Sequence, residues 1–199
     1  MLKLLLLLFI LYVLINNIQK YESFINNTLA KYSYFYSNYF IDKSKYDKIL
    51  LLGFITDETK KYFETNFPNA NINIINVEPA QYTSTSSEKT KIYEGENPYD
   101  PNLINELKNN NNIYDIIILE GETIIEKIIL SCKYLDILKD TGVFIIQLDT
   151  SDTIYNEISL LIKKGFINVK NTIKIFDYSK NNNNSNNMGI IVSIDKSSQ

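Results

Sequence analysis

Histidine is absent from the 199 residues, and cysteine occurs once. The first absence removes the commonest general base, the commonest metal ligand and every triad built around an imidazole. Chemistry in this chain must therefore run on carboxylates, tyrosines, lysines or the backbone. The single Cys132 excludes an intrachain disulfide and a cysteine-rich zinc site. It sits in a helical pattern, where a thiol reads as core filling rather than as a nucleophile. Basic residues are few as well: 20 Lys and Arg stand against 23 Asp and Glu, for a net charge of -3. No basic run is long enough to track a phosphate backbone, so nucleic acid is not the expected partner. The length suits one domain with a sizeable core.

One long hydrophobic run is present. Leu4 to Ile15 is apolar without a break, preceded by Lys3 and followed by Asn16 and Asn17. That layout is a signal-peptide core or a short signal anchor, and without a small-x-small cleavage site it favours an uncleaved anchor. A full span needs roughly 20 residues, so the run reaches that length only if Asn16 to Ile18 is carried along. The alternative is a buried helix, which a domain this small would have to wrap on every side. Residues 1–18 are therefore expected to anchor the chain at a membrane or direct it to the secretory pathway. Residues 19–45 come next as an aromatic-rich helical linker, with Tyr32, Tyr34, Phe35, Tyr36, Tyr39 and Phe40 crowded together. They suit either an interfacial belt or a helix packed on the domain C-terminal to it.

Residues 46–199 alternate short β-branched runs with longer helical ones, the signature of βαβ units and a parallel sheet. Lys48–Gly53 reads as a buried first strand and Asp57–Asn66 as a helix with acids in its first turn. Further strands are expected at Ile72–Val77, Lys91–Glu94, Tyr114–Leu119 and Val143–Leu148. Helices are expected at Pro101–Lys108, Glu122–Leu138 (closed by Lys139 to Gly142) and from a Ser151 or Asp152 cap to Lys164. Phe166–Phe176 and Gly189–Ile194 have no helix between them, so they should pair as an antiparallel hairpin.

In such a sheet, ligands bind at the carboxyl ends of the strands, near the point where strand order reverses. The residues to watch are Gly53 to Asp57, Glu78, Gly95 to Asp100, Leu119 to Thr123 and Gln147 to Asp152. Glu78 ends the second strand about 25 residues after Gly53, where an acid can accept both hydroxyls of a ribose.

The stretch Tyr62 to Ile72, leading to Asn76-Val77-Glu78-Pro79, resembles the second-strand region of class I S-adenosylmethionine-dependent methyltransferases. It is similar in particular to the macrocin O-methyltransferase and cephalosporin hydroxylase group. Gly95-Glu96-Asn97-Pro98-Tyr99-Asp100-Pro101 resembles that group's GDQSDP segment. Ile118 to Thr123 stands where the group has DDGSH, Leu135 to Val143 is similar to a leucine-rich stretch ending in a Pro-Gly-Gly turn, and Ile146 to Ser151 looks like EDLDTS. The resemblance runs from Lys48 to Ile194. It implies a Rossmann-like three-layer α/β sandwich, its mostly parallel sheet ending in an antiparallel hairpin. It also implies S-adenosylmethionine as cofactor, with Gly53, Glu78, Glu96 and Asn97 on the cofactor side and Glu120 and Asp149 as catalytic carboxylates.

The departures bear on activity. Of the family's glycine-rich loop only Gly53 remains, and Phe54, Ile55 and Thr56 fill positions that should be small. Leu51 replaces an acid near the end of the first strand, Leu119 replaces one carboxylate of DDGSH, and Thr123 replaces the histidine. Glu120, Glu122 and Asp149 remain to gather at one edge of the sheet, but no metal site is expected from this set. These residues leave two readings. One is an active enzyme transferring a methyl group to the oxygen of a small acceptor; the other is an inactive, membrane-tethered fold used for binding or assembly with a protein partner. The anchor can be tested independently: deleting residues up to Ser44 should leave a folded domain and release it from the membrane fraction. Failure of the shortened chain to fold would make the N-terminus part of the core.

Overall fold

The computed structural model describes residues 33, 35–53, 55–76, 88–93, 96–110, 112–120, 128–129, 131–148, 154–165, 167, 171–177 and 190–196. The chain divides into two compact units, Met1–Ile41 and Asp42–Gln199. In the first, residues 35–39 are helical, and the Phe35 and Tyr39 rings stack at 5.0 Å between centroids. The apolar run Leu4 to Ile15 lies outside the described residues, among which no helix is long and apolar enough to cross a membrane.

The second unit is built on a seven-stranded sheet. Its strands are β1 (Lys48–Gly53), β2 (Asn71–Asn76), β3 (Thr90–Tyr93), β4 (Tyr114–Glu120), β5 (Leu138–Leu148), β6 (Thr172–Asp177) and β7 (Ile190–Asp195). Their order is β3-β2-β1-β4-β5-β7-β6, with β7 antiparallel to both of its neighbours and the other pairings parallel. β1 and β4 are central, and the last two strands pair antiparallel, as expected. The helices are α1 (Asp57–Asn66), α2 (Pro101–Asn109) and α3 (Ile154–Lys163).

Local chemistry explains the helix ends. The Thr56 hydroxyl caps α1 by accepting from the Thr59 amide at 3.2 Å, and Pro68 follows Phe67, where the chain has left the helix. Asp100 caps α2 through the Asn102 amide at 2.8 Å, with Pro101 in the first turn, where its missing N–H costs nothing. Gly165 ends the α3 segment at φ +75°, a left-handed conformation suited to glycine.

Each face of the sheet buries its own layer. Leu50, Leu52, Ile75, Ile117, Leu119, Phe144 and Ile146 join Leu103, Ile104 and Leu107 of α2 and Ile158 and Leu161 of α3 in one apolar core. Alternation puts Ile49, Leu51, Ile72, Ile74, Ile116, Ile118 and Ile145 on the other face, equally buried. There, Thr90, in register with Ile72, donates its hydroxyl to Glu64 of α1 at 2.6 Å, so α1 lies on this second face.

Two sequence expectations are corrected. The helix expected to run from Glu122 to Leu138 and close over Lys139 to Gly142 tightens into a 3-10 turn at Cys132–Ile137, and β5 begins at Leu138. The Lys139 ammonium meets Asp115 at 2.6 Å, which draws residue 139 alongside β4 instead of into a helix end. The pairing then shifts: β5 runs from Leu138 to Val143 while β4 advances only from Tyr114 to Ile116. Gly142 sits in that irregularity, where a Cβ would meet Leu138 at 2.8 Å and the Lys139 carbonyl at 2.9 Å. The glycine read as a helix stop is thus a bulge glycine. The strand expected from Phe166 starts only at Thr172, because Ile167 first turns into the core beside α3.

At the amino edge of the sheet, the Asp115 carboxylate accepts from the Asp47 and Lys48 amides, each at 2.9 Å, and pairs with Lys139. One side chain of β4 thereby holds the starts of β1 and β5. Asp115→Ala should cost about 3 kcal/mol, since it removes two charge-assisted bonds and strands a half-buried ammonium. Urea unfolding measures this, and a loss below about 0.5 kcal/mol would show that the clamp contributes little.

Candidate functional site

The carboxyl edge of the central strands carries a polar row. Gly53 ends β1 in register with Asn76 of β2 on one side and Glu120 of β4 on the other. Leu119 pairs with Ile146, so Gln147 is the next position across on β5. Residues in register share a face. Asn76, Glu120 and Gln147 therefore project on the α1 side, flanking a glycine with no side chain, and all three are buried. A doubly wound sheet takes its ligands at this edge, where strand order reverses about β1 and β4.

Gly53 is required here for a reason internal to the sheet. Its φ is +109°, and a Cβ on it would overlap the Glu120 carbonyl oxygen. Beyond it, Ile55 is 2% exposed, and its carbonyl accepts from the Asn76 side-chain amide at 3.4 Å. The Ile55 side chain is thus packed within the protein rather than exposed at the strand ends, and the Thr56 hydroxyl is engaged in capping α1. Phe54 lies outside the described residues.

Leu51 and Leu119, the leucines at expected acid positions, are both fully buried. Leu119 belongs to the core on the α2 side, whereas Glu120 faces α1. A carboxylate at position 119 would enter an apolar layer, so this leucine is a core residue.

Glu96 and Asn97 lie exposed in the turn between β3 and α2. The Asn97 side-chain oxygen accepts from the Tyr99 amide at 3.0 Å, so it shapes the turn it sits in. Beneath, the buried Tyr134 hydroxyl donates to the Pro98 carbonyl at 2.6 Å. Burial raises the pKa of this phenol, with Tyr114 and Asp100 adding to the effect, so it stays a neutral donor. Cys132 is likewise buried, its thiol pushed up to about 12, as suits core filling. Glu78, Glu122, Thr123 and Asp149 lie outside the described residues, so only Gly53 and Glu120 of the expected set are brought together. Among the described residues no three His, Cys, Asp or Glu side chains cluster as a metal would need. Gln147 opens a stretch singled out from the sequence, whereas sequence reasoning missed Asn76 and Tyr134 as site residues. The signal for Asn76 was an amide directly after the apolar pair Ile74-Ile75 at the end of its strand; for Tyr134 there was none.

No family model and no curated protein matches the sequence. Solved structures match the fold. MycE methyltransferase from the mycinamycin biosynthetic pathway, in complex with magnesium, S-adenosylhomocysteine and mycinamycin VI, superposes at a TM-score of 0.62 over 83% of this chain, with 12% identity. Human methyltransferase-like protein 13 in complex with S-adenosylhomocysteine gives 0.54 over 74% of the chain at 15% identity, covering 71% of that protein. Fibrillarin from Methanococcus jannaschii gives 0.53 over 79% at 18% identity, covering 69% of its own chain. The fold is that of the class I methyltransferases. The chain spans about half the length of MycE, 49% of it. In this methyltransferase fold, the polar row stands where strand order reverses.

The contact at Gly53 is open to test. Gly53→Ala combines a disfavoured φ with overlap against β4 backbone, and should cost about 2 to 4 kcal/mol in thermal or denaturant unfolding. An unchanged unfolding midpoint would mean that β1 and β4 can separate at this edge without cost.

Proposed function

We propose that this chain is a methyltransferase-like protein that takes S-adenosylmethionine at the carboxyl edge of β1, β2 and β4. The observation that carries the reading is the polar row around Gly53, on a fold whose solved neighbours include proteins bound to S-adenosylhomocysteine. The residues present fit such a ligand in kind: a side-chain-free strand end, buried polar groups beside it, and an exposed turn at Glu96 and Asn97. Glu78, two residues beyond Asn76, would accept the ribose hydroxyls, and Glu96 or Asn97 would meet the adenine. When bound, the cofactor supplies an electrophilic methyl group.

The remaining work falls to the chain itself. With no histidine in the sequence, Glu120 is the carboxylate available at the row to take a proton from an acceptor hydroxyl, with Asp149 beyond β5 as the second candidate. Alignment of a small acceptor against the methyl group would supply most of the rate. We assign residues 1–18 to a membrane anchor.

A second reading has its own support. Leu119 is core, so one carboxylate of the resembled motif is absent from the site. The fold would then bind cofactor or a protein partner without transferring a methyl group, and would act as a tethered assembly module.

Calorimetric titration of the protein with S-adenosylhomocysteine should give micromolar binding, weakened at least about tenfold in Glu78→Ala, which loses a charge-assisted pair of hydrogen bonds. No binding at millimolar ligand by a folded protein would end the cofactor reading. Binding without methyl transfer to any hydroxylated acceptor tried would favour the assembly module.

A further inference from the structure

We propose that Tyr134 is a positioning residue for the cofactor's base. It acts through the backbone of the turn between β3 and α2, and the inference rests on the proposed binding of S-adenosylmethionine. Tyr134 lies in the 3-10 turn before β5, far along the chain from that turn, and its ring is fully buried in the core under α2. Its hydroxyl is the buried donor to the Pro98 carbonyl, at 2.6 Å. That carbonyl comes directly after Glu96 and Asn97, the two exposed side chains of the turn. Asn97 holds the Tyr99 amide, Asp100 holds the Asn102 amide, and the Asp100 amide donates to the Asn97 carbonyl at 2.9 Å.

The turn is therefore fixed from both sides. Local bonds set its shape, and Tyr134 sets its height above the core. A ligand-binding turn whose order is established before the ligand arrives loses less freedom on binding. Without the hydroxyl, the Pro98 carbonyl must seek water, and the turn rises from the core to reach it. Glu96 and Asn97 then move together, and recognition of the base is lost rather than the ribose contact at Glu78.

Tyr134→Phe keeps the ring and removes the donor. The wild-type protein and the variant are compared in two measurements. In the ligand-free state, amide exchange at Tyr99 and Asn102 should quicken in the variant while the β4 amides keep their protection. With ligand, the wild type should prefer S-adenosylhomocysteine to S-inosylhomocysteine, which differs only in the base, and the variant should lose that preference by about tenfold. Unchanged exchange with the preference kept overturns the inference and leaves the cofactor reading intact. Equal weakening toward both ligands overturns it as well, because that marks a general loss of stability. If the wild type binds neither ligand, the cofactor reading fails and the inference fails with it. Should Tyr134→Phe not fold, the wild type is read instead: the Tyr134 hydroxyl proton should exchange slowly and shift when S-adenosylhomocysteine is added but not when S-inosylhomocysteine is, and a hydroxyl proton unmoved by either ligand, in a protein that binds the first, decides against the proposal.

Discussion

The register of the three central strands depends on one carboxylate. Asp115 binds the two backbone amides at the entry to β1 and the ammonium of Lys139 at the entry to β5, all from the second residue of β4. Parallel strands are joined by long crossovers, so no tight turn fixes their alignment, and a slip of one residue would send every side chain to the opposite face. In β1 and β4 both faces are apolar, so hydrophobic pattern alone would tolerate such a slip. A charged group that can be satisfied in only one alignment removes the ambiguity. Lys139 also approaches Asp47 at 3.9 Å, but that carboxylate is 71% exposed and adds little.

The alignment set at the amino edge is read out at the carboxyl edge. With β1 and β4 locked, Gly53 falls opposite Glu120, and only a residue without a Cβ can pass so close to the β4 carbonyl. The same alignment brings Asn76 and Gln147 to the level of Glu120, on the face away from the larger core. The polar row is thus a product of register rather than of any local motif. Its members come from three crossovers and no two are near in sequence.

That origin explains how far the sequence could disclose the site. The boundaries of β1 and α1 are read from a continuous apolar run and from acids in a first helical turn, and both agree with the structure to the residue. The mostly parallel sheet and its closing antiparallel pair followed from the alternation of elements and from the missing helix between the last two strands. The end of the helix before β5 did not. Gly142 carries the same letter whether it stops a helix or fills a bulge, and the choice is made by a lysine meeting an aspartate from a strand far earlier in the chain. Likewise, Leu119 read as a lost ligand until alternation along β4 put it in the core. Asn76 and Tyr134 are ordinary letters whose roles rest on long-range contacts, at 3.4 Å to Ile55 and 2.6 Å to Pro98.

The place of β7 carries a consequence for biosynthesis. It is the last of the described strands along the chain, yet it lies between β5 and β6, and both hydrogen-bond to it. Until residues 190–195 leave the ribosome, β6 has no partner in the sheet, and one edge of β5 stands open with Phe144 and Ile146 on its larger-core face. An open apolar edge invites pairing with other chains. The nascent protein must therefore pass through an interval in which nearly all of its sheet is present and one side of it cannot close.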